Sequence, residues 1–222
     1  MTEVRRPLLL GHRGSRLAAP ENTIEAFELA LAHGCDGFEF DVRLTRDSRA
    51  IICHDPKWLG KVVERSTYRD LCLKTSLPLL EEVISRFAGR AYLDIELKIP
   101  ALEQQVASIL ARNSGSEKLI VSSFLPEVLH AMRRAQPGVK LGYIADKSSQ
   151  ISRWRALPCD VVIAHFRPTT PRLIEQVQAA GKKIFVWTVN KREQMLRFAS
   201  LGVDGLISDD TELLGRVFRR GN

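Results

Sequence analysis

The feature of this 222-residue chain that most restricts its fold is an alternation, kept from end to end, of short β-rich runs and helix-period segments. The β-rich runs are 8–10, 38–44, 50–53, 91–97, 119–122, 141–144, 161–164, 183–189 and 205–207. One of them breaks the pattern, because only Thr45 to Arg49 separates 38–44 from 50–53. A parallel crossover needs about ten residues or more, so 50–53 must return as an antiparallel hairpin partner. Without it eight strands remain, and each following gap can hold a helix. The first helix opens at Glu21-Asn22-Thr23 and runs to about His33, with Ile24, Phe27, Ala30 and Leu31 on one face and Gly34 as its stop. Further helices are predicted at 79–87, 101–112, 126–134, 171–180 and 192–201. Eight β/α units predict a closed (β/α)8 TIM barrel with one extra hairpin strand. The alternative is an open, doubly wound sheet.

Composition sets the class. A hydrophobic fraction of 45% with 27% charged residues describes a soluble globular chain, read as one domain over 1–222. No apolar run approaches the roughly 18 residues of a membrane span, which argues against stable membrane insertion. The apolar stretch Pro7 to Leu10 is too short for the core of a secretion signal. Cys35, Cys53, Cys72 and Cys159 form no Cys-x-x-Cys pair, which suggests reduced thiols and a cytoplasmic setting. The net charge of +7 is spread along the chain, densest at Arg5-Arg6 and at Arg216, Arg219 and Arg220. Aromatic residues do not interleave with these positions, so a nucleic-acid partner is not expected, and the charge serves as a general attraction for anionic substrates. Residues 56–78 lack periodicity and read as a loop excursion over the barrel mouth. Nothing in the residues fixes an oligomeric state.

In such a barrel the functional groups stand at the carboxyl ends of the strands. His12 and Arg13 follow the first strand, and His54 and Asp55 follow the hairpin strand. Glu39 and Asp41 alternate on one strand, and Glu96 and Lys98 on the next, so each pair shares a face. Three inward carboxylates repel one another unless a cation neutralises them, and an all-oxygen set suits Mg²⁺ or Ca²⁺ better than zinc. Arg13 and Lys98 would complement a phosphate, and His12 and His54 would supply a general base and a general acid. His33, His130 and His165 are read as structural or surface residues.

The segments His12-Arg13-Gly14, Pro20-Glu21-Asn22-Thr23, Glu39-Phe40-Asp41-Val42, His54-Asp55, Glu96-Leu97-Lys98, Ser122-Ser123-Phe124, Trp187-Thr188-Val189-Asn190 and Gly202-Val203-Asp204-Gly205 run in order along nearly the whole chain. The set resembles the glycerophosphodiester phosphodiesterase family. That resemblance implies a barrel enzyme that hydrolyses small glycerophosphodiesters to glycerol 3-phosphate and an alcohol. It implies a divalent metal on Glu39, Asp41 and Glu96, with His12 and His54 as the acid/base pair. Arg13, Lys98 and Trp187 would contact substrate, Trp187 on the glycerol side, and Asn22 joins this set by positioning the site. The segment 56–78 is shorter than the family's usual cap insertion, and the hairpin turn reads Thr45-Arg46-Asp47-Ser48 where the family has Thr-Lys-Asp-Gly. Lysophospholipase D or sphingomyelinase D-like cleavage on the same scaffold is the nearest alternative, followed by a non-catalytic barrel that binds phosphorylated ligands. Attack by water and attack by the neighbouring glycerol hydroxyl, through a cyclic phosphate, are both compatible with these residues.

Overall fold

The computed structural model describes residues 6–73, 75–113 and 118–219; Arg5 and Arg220, two of the basic residues noted above, lie outside them. Eight parallel strands form the barrel: β1 (Leu8–His12), β2 (Gly37–Leu44), β6 (Tyr92–Leu97), β7 (Leu119–Ser123), β8 (Lys140–Ala145), β9 (Val161–His165), β10 (Lys183–Trp187) and β11 (Gly205–Ser208). Each pairs with its neighbour in chain order, and β1 pairs with both β11 and β2, which closes the ring and rules out the open sheet. The extra strand β3 (Ala50–Ile52) pairs antiparallel with β2, as the short connection demanded.

β2 shows how the sequence builds two layers at once. Its alternate residues Phe38, Phe40 and Val42 face outward, where Phe38 stacks on Phe27 at 4.2 Å and meets Phe87 edge-on at 5.0 Å. Phe27 comes from α1 (Ile24–Ala32) and Phe87 from α3 (Leu80–Phe87), so these aromatics join two helices to one strand. Inside the barrel, Leu10, Tyr92, Ile120, Ile144, Val161, Ile163, Phe185 and Ile207 make a second apolar cluster below the mouth. α1 starts where Thr23 accepts a hydrogen bond from the Ala26 amide, and it ends just before Gly34, whose φ of +94° suits glycine. The remaining helices, α4 (Glu103–Ala111), α5 (Pro126–Ala135), α7 (Pro171–Ala179), α8 (Arg192–Ser200) and α9 (Thr211–Phe218), follow their strands. Between β8 and β9 the chain makes only the short helix α6 (Ser148–Ile151) and a 3₁₀ turn at Ser152–Ala156. Among the described residues no helix is long and apolar enough to cross a membrane.

Residues 56–78, expected as a loop excursion without periodicity, carry regular structure of their own. They form a small hairpin of β4 (Lys57–Trp58) and β5 (Lys61–Val62), a 3₁₀ turn at Val63–Arg65 and the short helix α2 (Tyr68–Leu71). Val63, Leu71 and Leu77 pack on Ile51 and Cys53 as a separate cluster. The physical reason is the outer edge of β3, whose polar groups need partners: the Ile52 amide donates to the Pro78 carbonyl, and Ile51 bridges Leu79. The segment covers the flank of the hairpin and, although none of its described side chains lines the central cavity, Trp58 and Thr75 to Pro78 line an adjoining one with Asn22 and His54.

Phe38→Ala removes the ring shared by Phe27, Phe40 and Phe87, and we expect it to cost about 3–5 kcal/mol in urea unfolding, with the circular dichroism of the folded state retained.

Candidate active site

The backbone at the end of β1 is shaped to deliver its side chains. Arg13 and Gly14 both take left-handed conformations, with φ of +55° and +79°. A Cβ on Gly14 would stand 2.7 Å from the backbone of Ala26, so α1 can approach this turn only beside glycine. The turn directs the Arg13 amide onto Glu39 Oε2 at 3.0 Å. Asn22, also left-handed at φ +59°, is buried and uses both ends of its amide on Asp41: Nδ2 donates to Oδ2 at 2.9 Å, and Oδ1 accepts from the Asp41 amide at 3.3 Å. Asn22 thus reaches the site through Asp41.

β2 and β6 lie in parallel register with Asp41 opposite Glu96. One carboxylate oxygen from each of Glu39, Asp41 and Glu96 lies within 4.8 Å of the others, and all three residues are buried. Lys98 Nζ donates to Glu96 Oε1 at 2.6 Å and stands 3.2 Å from Asp41 Oδ1, while Arg13 Nε stands 3.3 Å from Asp41 Oδ2. Asp41 Oδ1 and Glu39 Oε1 nevertheless have no hydrogen-bond partner. Three acids face two cations, Arg13 is shared with Glu21 at 2.8 Å, and the fully buried Asp94 adds a fourth carboxyl beside them, so the cations do not balance the acids if all are ionised.

The protonation equilibria show the same conflict. Burial, then the charges of Asp41, Glu96 and Asp94, drives the Glu39 carboxyl well above its ordinary value. Glu96 is pushed up to about 7 by burial and by Asp41, which outweigh the Lys98 ammonium. Burial opposes ionisation of Asp41 too, but Lys98, Arg13 and the Asn22 amide together hold its carboxyl below the usual range. Lys98 is raised despite burial because Glu96 and Asp41 favour its charge. These orphaned, oxygen-only acids fit a hard divalent cation.

The cavity above them is lined on its polar side by His12, Arg13, Glu39, His54, Glu96 and Lys98, and on its apolar side by Phe124, Ile144, Ile163, Trp187 and Ile207. The Trp187 indole is fixed by Nε1 donating to the Ile163 carbonyl at 3.3 Å and by edge contacts with Phe124 and His165. His54 pairs through Nδ1 with Asp55 Oδ1 at 2.7 Å, and burial keeps its imidazole below the usual histidine range. All of the residues singled out in the sequence, Asn22 through Asp41, converge here.

Three further side chains belong to the site. Arg43 continues the Glu39–Asp41 face of β2, donates from Nε to the His54 carbonyl at 2.8 Å and pairs with Glu64 at 2.7 Å, so it anchors the His54 loop. Asp94 lies two residues before Glu96, is fully buried, accepts from Ser122 Oγ at 2.5 Å and is pushed by burial up to about 7. The same alternation that picked out Glu39 and Glu96 points to both. Asp209, which contacts His12 Nδ1 at 2.7 Å, carries no comparable local signal.

Residues 12–213 match the model of the glycerophosphoryl diester phosphodiesterase family. A glycerophosphodiester phosphodiesterase of Caldanaerobacter subterraneus is 30% identical over 96% of this chain and 98% of its own length. The crystal structure of a glycerophosphodiester phosphodiesterase from Thermotoga maritima superposes with a TM-score of 0.83 at 26% identity, covering 96% of this chain and 99% of that one. A phosphodiesterase of Oleispira antarctica, solved in complex with the product sn-glycerol-3-phosphate, gives 0.84 at 25% identity over 96% of each chain.

Asp94 and Glu96 titrate near 7 in the fold and in the ordinary carboxylate range when unfolded. Their contribution to stability is complete below the ordinary carboxylate range and is lost progressively as pH rises from there to about 7, while His54, held below its usual range, works in the opposite direction inside that window as one group against two. Metal-free protein is therefore expected to melt at a lower temperature at about pH 7.5 than at about pH 5.5, and a divalent cation to remove the decline, as read by scanning calorimetry.

Proposed function

The chain belongs to the glycerophosphoryl diester phosphodiesterase family, and from that premise we propose that it is a metal-dependent enzyme whose acid/base pair is His12 and His54. It is a phosphodiesterase that hydrolyses glycerophosphodiesters; the metal requirement, the residue roles and the product glycerol 3-phosphate are our reading. The observation that carries it is the placement of two imidazoles, a guanidinium and an ammonium around the Glu39–Asp41–Glu96 cluster in one cavity.

Glu39, Asp41 and Glu96 would hold the cation, Mg²⁺ or Ca²⁺. Bound there, it would stabilise the negative charge that grows on the phosphoryl oxygens. Arg13 offers a fork to two phosphate oxygens and Lys98 a point charge, so the diester is bound with its phosphorus fixed between the histidines. Trp187 and its apolar neighbours exclude water and give the carbon face of the glycerol moiety a surface to lie against. One histidine takes the proton of the attacking hydroxyl, and the other gives a proton to the departing alcohol oxygen.

Glycerophosphocholine and related glycerophosphodiesters, assayed beside a lysophospholipid, are the direct test. Activity on the glycerophosphodiesters should vanish with chelator and return with Mg²⁺ or Ca²⁺; activity indifferent to chelator removes the metal from the proposal, and turnover of the lysophospholipid alone favours lysophospholipase D. His12→Ala and His54→Ala are each expected to lower kcat by roughly a hundredfold or more. A near-normal rate in either variant takes that residue out of the mechanism.

A further inference from the structure

The strands that close the barrel meet in a register that sets Gly11 opposite Ser208. The next residue on each, His12 and Asp209, therefore emerges at the same rim although the two are far apart in sequence. His12 Nδ1 lies 2.7 Å from Asp209 Oδ1, and the two side chains are only 12% and 18% exposed. Asp209 is itself held on every side. Its Oδ2 accepts from Asn190 Nδ2 at 2.6 Å, and its backbone amide donates to Asn190 Oδ1 at 2.9 Å. Ser208 Oγ donates to that same Asn190 oxygen at 3.0 Å, and Arg16 reaches Asp209 Oδ1 at 3.4 Å. The other histidine has no such support, because Asp55 is 73% exposed and its contact with His54 stands alone.

We propose that Asp209, clamped by Asn190, is a positioning residue that fixes His12 as the tautomer with its proton on Nδ1 and Nε2 open to the cavity. The chemistry of the groups requires this. A carboxylate only accepts, so the nitrogen facing it must carry the hydrogen, and the second nitrogen of a neutral ring is then an acceptor, directed into the cavity 3.9 Å from Glu39 Oε2. Burial alone would raise the Asp209 carboxyl, but the hydrogen bonds of His12 and Asn190 and the charge of Arg16 hold it below the usual range, so the acceptor stays ionised at neutral pH. When Nε2 carries a proton, the same carboxylate stabilises the positive ring and keeps its plane aimed at the phosphodiester. Asn190 has its amide oriented by three hydrogen bonds and leaves Asp209 no freedom to rotate away. The inference rests on the assignment of His12 to proton transfer.

Asp209→Asn keeps the shape but removes the charge and can present an NH₂ group to Nδ1, which favours the wrong tautomer. On glycerophosphocholine its kcat is expected to fall by roughly 10- to 1,000-fold with KM within about threefold of the parent. Nitrogen-15 NMR of histidine-labelled, metal-free parent protein should show His12, assigned by the peaks that His12→Ala loses, protonated at Nδ1 and unprotonated at Nε2, and Asp209→Asn should shift it toward the opposite tautomer. A kcat within about threefold of the parent, a loss confined to KM, or a parent His12 carrying its proton on Nε2 overturns the proposal. The NMR reading of the parent protein needs no turned-over substrate and no folded Asp209 variant, only the His12→Ala spectrum for assignment, so it fails separately from the assigned reaction.

Discussion

Glu39, Asp41 and Glu96 meet at the mouth of the barrel from two adjacent strands, almost wholly buried. Burying one ionised carboxylate is costly, and three within 4.8 Å are tolerable only beside compensating charge. Two cations, Arg13 and Lys98, supply part of it. The remainder appears as oxygens without hydrogen bonds and as acids pushed toward protonation. A fold that had only to be stable would replace such a cluster with apolar side chains, as the layer of Leu10, Ile144 and Phe185 does just below it. The conflict persists because a cation, and then an anionic diester, can resolve it.

The scaffold enforces this convergence through the pairing of β2. Its first half pairs with β1 up to the His12–Glu39 register, and its second half pairs with β3. β1 therefore ends where β2 continues, and His12 and Arg13 turn into the space left at the rim. The return strand β3 takes over the edge and carries His54 back toward the same point, with Arg43 tying the loop down. Both histidines thus depend on one long strand, whose outer face is locked by the Phe27–Phe38–Phe87 packing. The extra hairpin is part of the site's construction.

Much of this was legible in the residues. The five-residue connection 45–49 dictated the hairpin, strand alternation put Glu39 with Asp41 and Glu96 with Lys98, and the count of β/α units gave the closed barrel. Arg43 and Asp94 obey the same alternation and were within reach of it. Asp209 was not, and Asn190 stood in the segment Trp187-Thr188-Val189-Asn190 without a role, because their pairing exists only once the last strand docks on the first. The segment 56–78 resisted for a related reason: its order comes from the edge of β3 and from three buried apolar side chains, a signal too short to show periodicity.

Whether the three carboxylates share one cation can be read from anomalous diffraction by crystals grown with Mn²⁺. A single strong peak bounded by Glu39, Asp41 and Glu96 is expected, with Lys98 drawn away from Glu96. A peak elsewhere, or an empty cluster that keeps Lys98 on Glu96 in crystals containing Mn²⁺, would contradict a shared cation.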